Sequence, residues 1–244
     1  MIRALHDRKG RQQHGAYLAE GARIVAELAG SPVTIRFAFV LADAIPLLET
    51  LLPGVPVRVL NERHQRLFAT SSTQGIGAVI DLPPPASSTL LSDRSNPLLY
   101  LDGLSDPGNV GAIVRTADWF GHDSVALSPG CSDPYSPKSV RASMGGLFRI
   151  PILTHVTLDD LLATGRPLYA LDRTGADLSV VPMSRDGVYV IGNEAHGLSS
   201  DMRSLAELVS IRGAGRGESL NAAIAAAILL YELAGRRDNV QPSV

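Results

Sequence analysis

Short apolar runs that stop abruptly in turns dense in Gly, Asp and Pro decide what this 244-residue chain can become. They recur at Leu98 to Asp102, Ser124 to Leu127, Leu168 to Leu171, Val188 to Ile191 and Leu208 to Ile211. Between the first two, a helical pattern spans about Asn109 to Phe120, with Val110, Ile113, Val114 and Ala117 on one face and Gly121 placed to end it. Apolar runs alternating with helices predict an α/β domain with a parallel sheet, whose ligands sit beyond the carboxyl ends of the strands. The last helix, Ser219 to Ala234, is so rich in Ala, Ile and Leu that burial on most sides is expected.

Leu82 to Pro97 breaks the pattern with Pro83-Pro84-Pro85, Ser87-Ser88-Thr89 and Asn96-Pro97, a composition that disfavours helix and central strand. It predicts a domain over 1–82, a linker over 83–97 and a second domain over 98–244. In the first, Tyr17 to Leu28 has helical character, Ile35 to Leu41, Pro56 to Leu60 and Ile76 to Asp81 look like strands, and Ala44 to Leu52 looks helical. That alternation predicts a small α/β unit with a mainly parallel sheet.

The lone Cys131 cannot form an internal disulfide, the N-terminus is charged where a signal peptide is apolar, and the run Ala222 to Leu230 falls short of the ~20 residues that span a bilayer. A soluble cytoplasmic protein is expected. A net charge of −2 gives no overall support to a nucleic-acid partner. Locally, however, Arg3, Arg8, Lys9, Arg11 and Arg23 face only Asp7 and Glu20, with His6 and His14 in the same stretch. That is either a phosphate-binding surface or a solvated helix face.

Three segments carry candidate chemistry. Leu101 to Ala117 reads as strand, turn and helix start, and helix N-termini attract anions. Arg115 lies off the apolar stripe, pointing to a ligand or simply to solvent. In the second, Tyr189-Val-Ile-Gly-Asn-Glu-Ala-His-Gly-Leu198, a strand runs into a Gly-bounded polar turn. Gly192 would let the backbone approach a ligand, Glu194 would accept a substrate hydrogen bond or cap a helix, and His196 reads as a surface residue. In the third, Val209 to Asn221, glycines alternate between strand and helix. A dinucleotide fingerprint would need glycine where Glu218 stands and a second strand after the helix, and neither is present. Ser219 and Asn221 suit a helix cap.

Together, Asp106-Pro-Gly-Asn-Val-Gly-Ala-Ile-Val-Arg-Thr-Ala117, Gly192-Asn-Glu-Ala-His-Gly-Leu198 and Glu218-Ser-Leu-Asn221 resemble the three signature motifs of the SpoU (TrmH) family of RNA 2′-O-methyltransferases, within the SPOUT class. Their order and spacing over about 130 residues make the resemblance specific. His6 to Gly21 is similar to the start of the small ribosomal-protein-like, RNA-binding domain that precedes the catalytic domain in many relatives.

The resemblance implies a C-terminal SPOUT-type α/β domain whose parallel sheet carries a deep trefoil knot, one of the exceptions to unknotted folds. It implies a bent S-adenosylmethionine held by the turns after Leu168 to Leu171, Val188 to Ile191 and Leu208 to Ile211. Gly192, Ile211 and Leu220 would line that pocket, with Leu171, Asn193 and the backbone from Gly213 to Gly217, including Gly215, as further candidates. It also implies a homodimer through the knot region, one site drawing on both protomers. Relatives usually carry Pro-Met where this chain has Arg212-Gly213, a departure that leaves the loop's length intact.

Methyl transfer from a sulfonium to a ribose hydroxyl is an in-line displacement that needs alignment and proton removal but no metal. The resemblance gives Arg115 the central catalytic role, with Asn109, Glu194, Ser219 and Asn221 positioning substrate and cofactor. A guanidinium stays protonated, so Arg115 is read as stabilising the developing alkoxide and gripping the adjacent phosphate, the proton leaving through phosphate or water. Only RNA offers the 2′-hydroxyl, and rRNA is preferred over tRNA. Arg8, Lys9, Arg11, Lys138 and Arg141 are the candidate RNA contacts. The rival readings are a catalytically silent RNA-binding relative and a nucleotide-dependent enzyme of ordinary doubly wound fold.

Overall fold

In the computed structural model, which describes residues 1–61, 68 and 73–238, the chain divides into two units. One comprises Met1–Pro84 with Asp133–Arg149, the other Pro85–Ser132 with the chain from Ile150 onward. The segment 133–149 thus leaves the second unit and folds as part of the first.

The first unit is built on strands β1 (Ala16–Glu20), β2 (Ile35–Leu41), β3 (Val57–Leu60) and β4 (Ile76–Asp81), in the order β1-β4-β2-β3. The expected helix over Tyr17 to Leu28 is not there. Ala16 to Glu20 pairs antiparallel with β4, and only Ala22–Ala26 is helical. Every residue of β1 is buried, so the strand shows no alternation and reads by composition as a helix. The mainly parallel sheet is also corrected: β4 is antiparallel to both β1 and β2, and only the β2/β3 pair is parallel. Leu5, from the short Ile2–His6 helix, joins Leu18, Phe37, Phe39 and Val79 in this unit's core.

The second unit holds β5 (Leu98–Leu101), β6 (Val125–Leu127), β7 (Ile152–Leu153), β8 (Leu168–Asp177), β9 (Val188–Ile191) and β10 (Glu207–Ser210). They form a sheet in the order β10-β8-β9-β5-β6-β7, with every pairing parallel. The turns after β9, β5 and β6 therefore lie side by side at one edge. β8 outruns its apolar stretch because Leu171 to Gly175 forms an excursion opposite Leu208 and Val209. Within the Pro/Ser-rich stretch, Thr89–Ser92 forms one helical turn that buries Leu91 in the second unit's core. Arg166 pins it, donating to the carbonyls of Leu91, Asp93 and Asn96.

The Pro107–Trp119 helix buries Val110, Ile113, Val114 and Ala117, as its stripe predicts. The last helix, Ala222–Asp238, departs from expectation. It buries Ala226, Leu229, Leu230 and Leu233 but leaves Ile224 and Tyr231 more than half exposed and Ile228 partly so, a row at i, i+4 and i+7. No described helix is long and apolar enough to cross a membrane.

Candidate active site

Three of the sequence-predicted residues meet at the carboxyl edge of the second unit's sheet. Asn109 sits in the first turn of the Pro107–Trp119 helix, whose N-cap Asp106 accepts from the Gly108 N–H at 2.8 Å. The buried Asn109 amide donates through Nδ2 to Glu194 Oε1 at 2.8 Å and accepts through Oδ1 from Asn221 Nδ2 at 3.0 Å. Asn221 caps the last helix, its Oδ1 accepting from the N–H groups of Ala223 and Ile224. One amide thus ties the turn after β9 to the starts of two helices.

Glu194 is saturated. Oε1 also accepts from the Asp106 N–H at 3.2 Å, while Oε2 accepts from the N–H and Oγ of Ser105, each at 3.1 Å. Partial burial pulls its pKa upward, but the hydrogen bonds from Asn109, Ser105 and Asp106 outweigh it and hold the group at about 2. A carboxylate so engaged, with so low a pKa, is a poor general base at neutral pH. Its place is as a tie.

Asn193 supports the same turn: Nδ2 donates to the Gly103 carbonyl at 2.6 Å, and Oδ1 accepts from the N–H groups of Ala195 and His196. At Gly192 the close approach the structure shows is within the turn itself. A Cβ there would fall 2.7 Å from the Gly197 carbonyl carbon and 2.9 Å from the Leu198 nitrogen, so the chain's own returning backbone fills that space.

Ser128, Cys131 and Ser132, in the turn after β6, complete the wall, and sequence reasoning missed them. Ser128 Oγ accepts from the Gly103 N–H at 2.8 Å, Cys131 Sγ donates to the Leu101 carbonyl at 3.1 Å, and Ser132 bonds Leu104 and Ser105. The available signal was the Ser-Pro-Gly-Cys-Ser turn beyond Ser124 to Leu127, in the same position relative to its strand as the other two turns.

Arg115 stands apart from this cluster. It projects from the exposed face of its helix, making no hydrogen bond or ion pair among the described residues. Trp119, one turn further on, is 84% exposed. Ser219 is exposed, two residues before the Asn221 cap. The 212–218 loop is exposed, and a Cβ at Gly213, Gly215 or Gly217 would meet nothing within 4 Å. Ile211 is half-buried and Leu220 half-exposed at its two ends, while Leu171 is half-buried at the start of the β8 excursion. Arg212 is held by Asp177 at 2.6 Å.

In the first unit, Arg8 and Lys9 are exposed on the Arg8–His14 helix, and Lys138 is exposed on the Pro137–Ser143 helix. Arg11 is not offered to a ligand. It is buried, donating to the carbonyls of Leu5 and His6 and pairing with Asp133 at 2.5 Å. Arg141 lies 3.5 Å from the buried carboxylate of Glu20.

Comparison with known proteins converges on one family. Residues 96–231 match the model of the SpoU rRNA Methylase family, and residues 1–78 match the MRM3-like substrate binding domain. The 23S rRNA (guanosine(2553)-2'-O)-methyltransferase RlmP of Bacillus subtilis (strain 168) is 32% identical over 95% of this chain and 93% of its own length. The SpoU methyltransferase AviRb from Streptomyces viridochromogenes, solved in complex with the cofactor AdoMet, is 26% identical. It superposes with a TM-score of 0.86 over 98% of this chain and 97% of its own. An AdoMet-bound rRNA methyltransferase from Sinorhizobium meliloti, 28% identical, gives a TM-score of 0.82 over 98% and 94%.

Proposed function

This chain belongs to the SpoU rRNA methylase family, and from that membership and the Asn109–Glu194–Asn221 tie we propose that it methylates a ribose 2′-hydroxyl of rRNA, using S-adenosylmethionine. When bound, S-adenosylmethionine supplies an electrophilic methyl on a sulfonium. The 212–218 loop fits such a ligand: Ile211 and Leu220 offer apolar surface, and the space beside Gly213, Gly215 and Gly217 is open. Gly192 and Asn193 shape the neighbouring turn, and Leu171 belongs to the same candidate set.

Arg115 is our catalytic residue. Its guanidinium stabilises the alkoxide that develops on the ribose oxygen and grips the neighbouring phosphate. The proton leaves to phosphate or water, because the saturated Glu194 is unsuited to take it. Ser219 and Asn221 orient substrate at the start of the last helix. The intact Asn109, Arg115, Glu194 and Asn221 favour an active enzyme over a silent RNA-binding relative.

Arg115 faces away from the buried stripe of its helix, so we infer that a second protomer completes the site. Exposed Trp119, Ile224 (54%), Ile228 and Tyr231 (69%) support a homodimer, since a monomer rarely leaves such a row in water. The trefoil knot belongs to this reading, supported by a strand order that seats β8 between β10 and β9 and brings their turns to one edge. RNA is gripped by the first unit, with Arg8, Lys9 and Lys138 as contacts. Counted over that unit's sequence, twelve Lys and Arg face eight Asp and Glu, a local surplus that the overall −2 conceals. A lone cysteine and an rRNA substrate support a cytoplasmic reading.

Incubation of rRNA with tritiated methyl donor tests this reading. Wild-type protein should label ribose, and Arg115→Ala should lose turnover while calorimetric binding of the donor stays within about twofold. Wild-type turnover in Arg115→Ala, or strong loss of donor binding, would contradict the assignment.

A further inference from the structure

Two consecutive peptide groups lie between Ser132 and Glu194. The Leu104 carbonyl accepts from the Ser132 N–H at 2.8 Å, and the Ser105 N–H of that same peptide group donates to Glu194 Oε2. The Ser105 carbonyl accepts from Ser132 Oγ, and the Asp106 N–H of that peptide group donates to Glu194 Oε1. A trans peptide is planar, with its C=O and N–H on opposite sides, so whatever grips the carbonyl fixes where the N–H points. Chains of hydrogen bonds also polarise one another. Ser132 therefore holds, from behind, both backbone donors that face the Glu194 carboxylate.

We propose that Ser132 is a positioning residue for methyl transfer, acting through the Leu104–Ser105 and Ser105–Asp106 peptide groups to fix Glu194, and through it Asn109 and Asn221. The proposal rests on the methyltransferase reading above. Among the described residues, Ser132 hydrogen-bonds only Leu104 and Ser105, its side chain reaching the Ser105 carbonyl. Removing its hydroxyl frees one peptide group to rotate while leaving the fold's buried contacts in place.

The test compares Ser132→Ala and Ser132→Thr with wild-type protein, measuring kcat, KM for rRNA, donor affinity and melting temperature. Ser132→Ala should lower kcat about tenfold, as the Asp106 N–H loses its alignment on Glu194. KM, donor affinity and melting temperature should hold, and the acidic limb of the kcat–pH profile should move to higher pH as Glu194 loses an aligned donor. Ser132→Thr, which keeps the hydroxyl, should recover most of the rate. Wild-type kcat in Ser132→Ala would overturn the role, as would a rate loss that simply follows melting temperature or an unmoved acidic limb. A wild-type protein without methyl transfer would overturn the underlying reading and this role together.

Discussion

Glu194 shows how little of a residue's duty its position in a motif reveals. Its place in a Gly-bounded turn left open whether it accepts from substrate or caps a helix. The structure gives it Ser105, Asp106 and Asn109 as donors, and no spacing rule connects positions 85 to 89 residues apart. Its ionised form is favoured in the fold, with the pKa lowered from 4.5 to about 2. Folded protein thus holds this proton more weakly than unfolded chain, so the group contributes stability above pH ~4.5 that is lost as pH falls toward ~2. Glu194→Gln should lack that component, its melting temperature falling less steeply over this window than that of wild type. Its kcat should drop at least tenfold, because an amide NH2 must now face N–H donors. Equal acid sensitivity of the two proteins would refute the tie. Arg115 was legible from helical periodicity alone as a residue off the buried stripe. Arg11 was not: its charge suggested RNA, whereas its burial and Asp133 partner could be found only by folding the chain.

At the scale of elements, the second unit was readable because its apolar runs are short, bounded and separated by turns. Val188 to Ile191 matches β9 residue for residue, and the Asn109 to Phe120 pattern lies within two residues of the Pro107–Trp119 helix. β1 was unreadable for the opposite reason, since a strand buried on both faces carries no period of two. The last helix misled through composition, its Ala and Leu content hiding a row that a single chain leaves uncovered. The turn from Gly192 to Leu198 offers a direct check. Gly192→Ala drives a methyl group into the backbone of Gly197 and Leu198, so it should cost about 1–3 kcal/mol of stability in denaturant titration. It should also weaken turnover by displacing Asn193 and Glu194. A neutral Gly192→Ala would mean the turn is not packed as described.

At the scale of the molecule, charge and exposed apolar surface are divided between the two units. The first unit carries the cationic surplus, and the second carries both the tie and the uncovered row on its last helix. Replacing Ile224 and Tyr231 together by Glu should convert a sedimenting dimer to monomer and lower methyl transfer at least tenfold. A wild-type protein that sediments as a monomer while turning over would remove the second protomer from the site. The central claim, ribose methylation of rRNA, is tested most directly by mapping 2′-O-methyl groups in rRNA from cells with and without this protein. One ribose methyl should be missing without it, restored by the wild-type chain and not by Arg115→Ala. An unchanged ribose map, or a lost methyl that proves to sit on a base, would contradict the account.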